Sequence, residues 1–410
     1  MALTFDYKVR DRSGNLVEGQ LEGDSLQLVV SKLRDMGYLP ISVKQKSKVS
    51  ARMEITIPGL TNRVKLMEIA VATRQLATMV ESGLSVVRAL SILVTQVENK
   101  ELARVLGEVR LDVERGSSLS QACARHPKVF SELFVTMVQA GEAGGTLDLV
   151  LADLASTTEK QANLNRTIRS AMTYPAVVLS VMVVIFLALL IFIVPTFKNL
   201  FAQLNAKLPL PTRIIIKISS IVLSPWAVVV AAVVIVAVAL VRRWIRTEDG
   251  RMKWDRLKLR PPVFGDLIHK VALARFTSVL ASLVQSGVPI LESLDIATET
   301  CGNRVLGVAL QQAKAGVREG RSLADMLREH EDIIPPLVVQ MVEVGEQTGA
   351  LDQMLQRVGK FYDDEVANTV ENLTSLLEPM LTVVMGAGVG VMVVSMYLPM
   401  FDYIKHIPTS

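Results

Sequence analysis

The chain has 410 residues, half of them hydrophobic and a fifth charged, with a formal net charge of +4. So small a charge excess gives no reason to expect a nucleic-acid partner. Two cysteines without a CxxC pair argue against a disulfide framework or a thiolate zinc centre, so Cys123 and Cys301 are expected to be plain thiols in a reducing compartment.

In chain order, residues 1–46 read as a small ββαβ domain. Phe5, Tyr7 and Val9 alternate, Ser13-Gly14-Asn15 turns the chain and Leu16–Leu21 returns it. Asp24 resembles a helix cap with Gln27 three residues on, Leu26, Val29, Val30 and Leu33 form an apolar stripe, and Leu39–Val43 is extended. No cleaved signal is expected, because the first long apolar run begins near residue 170. A basic linker, 47–62, is broken at Pro58-Gly59.

A first helical-bundle domain is predicted over 63–169. Apolar residues recur every three or four positions, and the punctuation is Gly stop followed by Ser start, as at Gly116-Ser117-Ser118. Three segments then carry no charge: 170–197, 218–241 and 379–401. About 20 residues at ~1.5 Å each cross a ~30 Å hydrocarbon core, so each is predicted to be a transmembrane helix. Between the first two lies a short loop, 198–217. A second helical bundle falls in 242–378, and 402–410 form a tail.

Basic residues crowd the exit of the second span, from Arg242 and Arg243 to Lys258 and Arg260. By the positive-inside rule both bundles and the N-terminus are cytoplasmic, while 198–217 and the C-terminal tail lie outside. The fold class is therefore an all-α membrane protein with two duplicated cytoplasmic bundles, three transmembrane helices and a small N-terminal ββαβ unit.

The duplication is direct. At a constant offset of 204, residues 72–201 align with 276–405 without a gap, and 29 of the 130 positions are identical. The matches include Ser82-Gly83 with Ser286-Gly287, Gly116 with Gly320, Gly141-Glu142 with Gly345-Glu346, Gly145 with Gly349, and Pro175 with Pro379. Two copies in one orientation, each ending in an outward span, need one unmatched span to return the chain; the middle apolar run is that span. The copies differ in charge: residues 72–169 carry 11 basic and 11 acidic side chains, residues 276–378 carry 7 and 16, a net of −9.

Little in the chain suggests catalysis or a bound cofactor. No Gly-x-x-x-x-Gly-Lys phosphate loop occurs, and the apolar runs contain no ionisable side chain of the kind that marks ion-coupled transport. His126 and His330 are repeat equivalents expected to cap or hydrogen-bond rather than ligate metal. Asp363, Asp364 and Glu365 offer oxygen ligands for a divalent cation, but consecutive helical residues diverge, and a solvated acidic face is the alternative. Gly141, Glu142 and Gly145, with Gly345, Glu346 and Gly349, form a repeated Gly-Glu-x-x-Gly turn. Its glycines answer to backbone geometry. Its glutamate either caps the following helix or contacts a partner. Gly386 and Gly390 have the small-xxx-small spacing that admits a second helix, in this protein or another protomer.

The segments Thr73-Arg74-Gln75-Leu76-Ala77-Thr78-Met79, Val113–Leu119, Ala140–Asp148, Tyr174-Pro175, Leu208–Arg213 and Gly345–Leu351 resemble those of the type II secretion protein F / type IV pilus assembly protein C family. The resemblance extends over essentially the whole chain. It implies a non-enzymatic platform in the inner membrane, without a cofactor, coupling a hexameric cytosolic ATPase to the assembly of pilins or pseudopilins. Other inner-membrane assembly proteins, membrane lipid and further copies of the chain are the remaining implied partners. Pilus assembly is favoured over secretion. A membrane receptor or sensor is a remote alternative, since a loop of about 20 residues is too short for an outside ligand domain.

Overall fold

The computed structural model describes residues 3–10, 16–23, 26–45, 64–203 and 208–405, in two compact units split between residues 63 and 64. In the first unit β1 (Leu3–Arg10) pairs antiparallel with β2 (Leu16–Gly23). Helix α1 (Leu26–Asp35) follows, and β3 (Leu39–Gln45) pairs with the other edge of β1, so the strand order is β2-β1-β3. Val9, Val29 and Leu33 close a small core under Leu21, Tyr38 and Val43. The register between β1 and β3 slips at Lys8/Val9, opposite Pro40. Proline cannot donate to the ladder and is tolerated on such an edge strand. The expected Ser13-Gly14-Asn15 turn, the Asp24 cap and the 47–62 linker lie outside the described residues.

The second unit begins with α2 (Leu66–Glu81), α3 (Val86–Gln96), α4 (Lys100–Glu114), α5 (Leu119–Ala124) and α6 (Glu132–Gly144). Side-chain caps start these helices where sequence chemistry offers them. Ser85 accepts from Arg88 N–H, Asn99 from Glu101 and Leu102, Ser118 from Gln121, and Ser131 from Phe134. Each satisfies a donor that the helix itself leaves free. Helix α7 (Leu147–Ala188) then runs through one π-helical turn (Leu189–Ile193) into α8 (Val194–Gln203). Pro195 explains the wide turn: it has no N–H to give, and an ordinary helix would press its ring against the carbonyl four residues back.

After α9 (Leu210–Val222), α10 (Trp226–Ile245) and α11 (Glu248–Lys258), the helical order repeats as α12 (Phe264–Gln285), α13 (Ile290–Thr300), α14 (Arg304–Arg318), α15 (Leu323–Arg328), α16 (Pro336–Thr348) and α17 (Leu351–Lys405). The caps repeat with it: Asn303 stands for Asn99 and Ser322 for Ser118.

The two bundles share one hydrophobic core. It extends from Leu76, Leu90, Leu102 and Met137 through Leu151 and Leu154 to Phe276, Leu280, Leu310 and Val342. Thr157 and Ser282 share a 2.7 Å hydrogen bond across the junction, and Arg275 Nη2 donates to Asn165 Oδ1 at 2.7 Å. Where the bundles end, Leu164, Ile168 and Met172 of α7 pack with Val366, Val370 and Leu373 of α17.

Among the described residues four helical segments are long and apolar enough to cross a membrane: Leu147–Gln203, Trp226–Ile245, Phe264–Gln285 and Leu351–Pro399. The third is different in kind. Phe276, Val279, Leu280 and Leu283 of α12 are at most 1% exposed, so its apolarity is spent on the protein's own core. The apolar stretches of the other three stay largely uncovered.

The uncharged run 218–241, expected as a single helix, is divided. Helix α9 stops at Val222 and α10 starts at Trp226, because Pro225 favours a helix start over a helix interior. The expected loop 198–217 is also mostly helical, with α8 reaching Gln203 and α9 starting at Leu210. Residues 204–207 and the last part of the tail, 406–410, lie outside the described residues.

Candidate functional site

Each residue of the repeated Gly-Glu-x-x-Gly element has its own physical cause. Gly141 and Gly345 sit inside α6 and α16 where the next helix crosses closely. A Cβ at Gly141 would lie 3.0 Å from Val150 Cβ, and one at Gly345 only 2.8 Å from Leu351 Cα. Gly145 and Gly349 end the two helices in the left-handed conformation, φ 68° and 70°, which disfavours residues with a side chain. Both are followed at once by a new helix.

The glutamates are not in the turn. They occupy the last turn of α6 and α16 and reach back to the short helix before. Glu142 Oε1 accepts from Leu119 N–H at 2.5 Å, while Oε2 accepts from Ser120 N–H at 3.2 Å and from Ser120 Oγ–H at 2.5 Å. Glu346 accepts from Leu323 N–H at 2.7 Å and Ala324 N–H at 3.0 Å. The expectation that they cap the following helix is therefore corrected: α5 and α15, 22 to 23 positions upstream, are the ones capped. With Ser118 and Ser322 on the third free N–H, each six-residue helix has its N-terminal donors filled from two directions. A cleft of about 410 Å³ opens beside Glu142, between Ser118 and Gln121 of one helix and Gln139 of the other.

The acidic triplet does not converge. Glu365 is bound to Lys270 Nζ at 2.9 Å, which also holds Asp266 at 2.8 Å, and Asp364 points outward. Among the described residues no group of three or more acidic, histidine or cysteine side chains is placed to hold a metal. Asp363 is half-buried, and burial, only partly offset by Lys160, pushes its carboxyl up to about 6. The repeat explains why. Its equivalent Glu159 is gripped by Arg74 through two hydrogen bonds of 2.9 and 2.8 Å, which hold that carboxyl below its ordinary value. At the offset of 204 the position equivalent to Arg74 is Ser278, so Asp363 lacks the guanidinium.

At the junction of the bundles, burial and the Glu299 carboxyl, with Asp295 and Glu292 nearby, raise Glu132 above the usual carboxylate range. Cys123 and Cys301 are buried free thiols, and burial pushes both upward.

In the apolar part of α17 the close-approach glycine is Gly388, not the expected pair. A Cβ there would meet Phe186 Cζ at 2.4 Å, whereas Gly386 and Gly390 have nothing within 4 Å. Residue spacing identified the thinned face but not which side of it meets α7. Sequence reasoning also missed two hydroxyl bonds of α9. Ser219 Oγ donates to the Leu190 carbonyl of the π turn at 2.6 Å, and Thr212 Oγ1 donates to the Ser395 carbonyl of α17. Their signal was a seven-residue spacing of small hydroxyls, Thr212 and Ser219, along one helix. Ile214, Ile218 and Ile221 of α9 face outward.

The repeat is recovered independently by comparison with known proteins. The family model described as type II secretion system protein F matches twice, over 72–195 and 276–399, an offset of 204; the N-terminal domain of that family matches 1–44. Among curated relatives, the type IV pilus assembly protein PilC of Thermus thermophilus is 42% identical, with 98% of each chain covered. PilC of Myxococcus xanthus is 40% identical over 97% of this chain and 94% of its own. The type II secretion system protein F of Pseudomonas aeruginosa is 34% identical, with 97% and 98% covered. On these whole-length matches and on both copies of the repeat, the chain belongs to the type II secretion system protein F family.

Proposed function

We propose that the chain is an inner-membrane platform protein of a type IV pilus assembly machine. In this reading it couples a hexameric cytosolic ATPase to the assembly of pilin subunits from the membrane, and it has no catalytic turnover of its own. The observation that carries the reading is the pair of helices that leave the bundles without a break. Leu147–Gln203 continues for 57 residues and α17 for 55. At 1.5 Å per residue these are rods of about 80 Å, and a displacement imposed on a bundle reaches the bilayer with no hinge loop to absorb it. The shared core supports movement of both bundles as one body.

Three spans are proposed: α7 continuing into α8, then α10, then α17. The basic exit of α10 and the burial of α12 support that count, with the N-terminus and both bundles cytoplasmic and the C-terminus periplasmic. The two copies of Gly-Glu-x-x-Gly act by holding α5 against α6 and α15 against α16, and these two surfaces are the ones offered to the ATPase. Other assembly proteins, lipid and further copies of the chain complete the partner set. Identities of 42% and 40% to two pilus assembly proteins, against 34% to the secretion protein of Pseudomonas aeruginosa, favour the pilus branch.

The test has two parts. In a strain lacking the gene, wild-type protein restores surface pili and co-purifies with the ATPase, whereas E142K/E346K does neither although it accumulates in the membrane. Membrane-impermeant thiol labelling of K100C and K314C in spheroplasts finds both protected until the membrane is opened. Labelling of one and not the other would refute the topology, and restored pili in E142K/E346K would refute the coupling surface.

A further inference from the structure

A cleft of about 550 Å³ opens between α11, the end of α13 and the start of α14, well within the volume range of small-ligand sites. Its wall is polar. Arg251 and Arg304 line it, both are exposed, and neither guanidinium has an ion-pair or hydrogen-bond partner among the described residues. A third guanidinium stands behind the wall: a Cβ on Gly302 would lie 3.1 Å from Arg275 Nη1.

Thr298 belongs to the same wall. It is 7% exposed, and its Oγ1 is buried without a hydrogen-bond partner. An unpaired buried hydroxyl costs the fold stability, which a ligand acceptor reaching it would recover. The single carboxylate lining the cleft, Glu299, lies near the Glu132 carboxyl across the bundle junction and helps to raise it. The first N–H groups of α14 are already taken, Arg304 by Asp255 and Val305 and Leu306 by Asn303. The helix therefore adds its field and not its donors.

The position of the cleft relative to the bilayer is fixed by Gly250. A Cβ there would lie 2.0 Å from the Trp244 carbonyl, so α11 folds back tightly against the end of α10. Arg251 is the next residue. The cleft thus has in its wall a residue only six positions beyond the end of a helix long and apolar enough to cross the membrane.

We infer that this cleft is a binding site for a phosphoryl anion, held between the Arg251 and Arg304 guanidiniums with Thr298 as a hydroxyl donor. Arginine's planar fork suits phosphate oxygens, which accept two parallel N–H bonds. Two sources supply that chemistry, the headgroup of an anionic phospholipid and a soluble phosphate compound, and the experiment separates them.

Full-length protein in neutral detergent is dialysed against labelled inorganic pyrophosphate. In parallel, its thermal midpoint is compared in nanodiscs of phosphatidylglycerol and of phosphatidylcholine. R251Q/R304Q is set against the wild type, with T298V as a milder variant and R256Q/R260Q as an equal loss of charge outside the cleft. A soluble ligand predicts pyrophosphate binding that weakens about tenfold or more in R251Q/R304Q and less in T298V. A lipid ligand predicts that the phosphatidylglycerol advantage disappears in R251Q/R304Q. In either arm R256Q/R260Q behaves as wild type. The site is refuted if wild type responds to neither probe, or if R256Q/R260Q loses the response as fully as R251Q/R304Q.

Discussion

Removing the Glu142 carboxylate tests how the repeated motif works. In E142A, α5 loses acceptors for Leu119 N–H, Ser120 N–H and Ser120 Oγ–H together. Bonds to charged acceptors are worth about 1.5–3 kcal/mol each in favourable cases, while single cap deletions cost about 0.5–2. Ser118 still caps the helix, and water reaches a half-buried carboxylate, so about 2–3 kcal/mol is the expected sum. Hydrogen–deuterium exchange reads this locally: at 1.4 kcal/mol per decade, the Leu119 and Ser120 amides should exchange about 30- to 100-fold faster. E346A loses two bonds rather than three and should cost less. In an S120A background E142A should cost about as much as E346A does. Unchanged exchange at residues 119–120, or a larger effect on the first turn of α7 than on α5, would refute the capping assignment.

Asp363 titrates against the fold. Its carboxyl is raised to about 6 from an unfolded value near 4, so the native state holds the extra proton. Its contribution is fully favourable below about pH 4 and is lost as pH rises through 6. D363N should therefore raise the thermal midpoint at pH 7.5 and leave it unchanged at pH 4, and S278R should rescue by restoring the guanidinium seen at Arg74; a D363N midpoint at or below wild type at pH 7.5 would contradict this. Gly250→Ala should destabilise the α10–α11 joint severely, since the Trp244 carbonyl cannot withdraw, whereas Gly386→Ala meets nothing within the chain and should leave the detergent midpoint of the purified protein unchanged; equal midpoints for the two variants would show the joint to be soft. Ser219→Ala strips the π-turn carbonyl of Leu190 of its donor and should cost about 1 kcal/mol, visible as a lower unfolding midpoint in detergent, and T212A, which frees the Ser395 carbonyl, should lower it comparably; an unchanged midpoint in S219A would contradict this.

Local chemistry made much of this protein legible in its sequence. Charge-free runs longer than a bilayer needs, Gly stops followed by Ser or Asn starts, and a duplication at fixed offset all depend on neighbours along the chain. Family membership followed from the same motifs. Pairing in space was not legible. Glu142 and Glu346 were visible as a repeated carboxylate at a helix end, but the helix they cap lies upstream, and only the packing of α5 on α6 selects it. Phe186 reaching Gly388 was equally hidden, because a small residue announces room for a neighbour without saying which neighbour takes it. Helix α12 is as long as a membrane span and becomes core only because α17 and α13 of its own bundle, with α7 and α6 of the first, pack around it. Ser278 opposite Asp363 turns a paired carboxylate into a raised one, an effect that needs two helices brought side by side. Periodicity, capping and hydropathy are short-range and belong to the sequence; burial, partner choice and electrostatic environment come from long-range packing and were set by the tertiary structure.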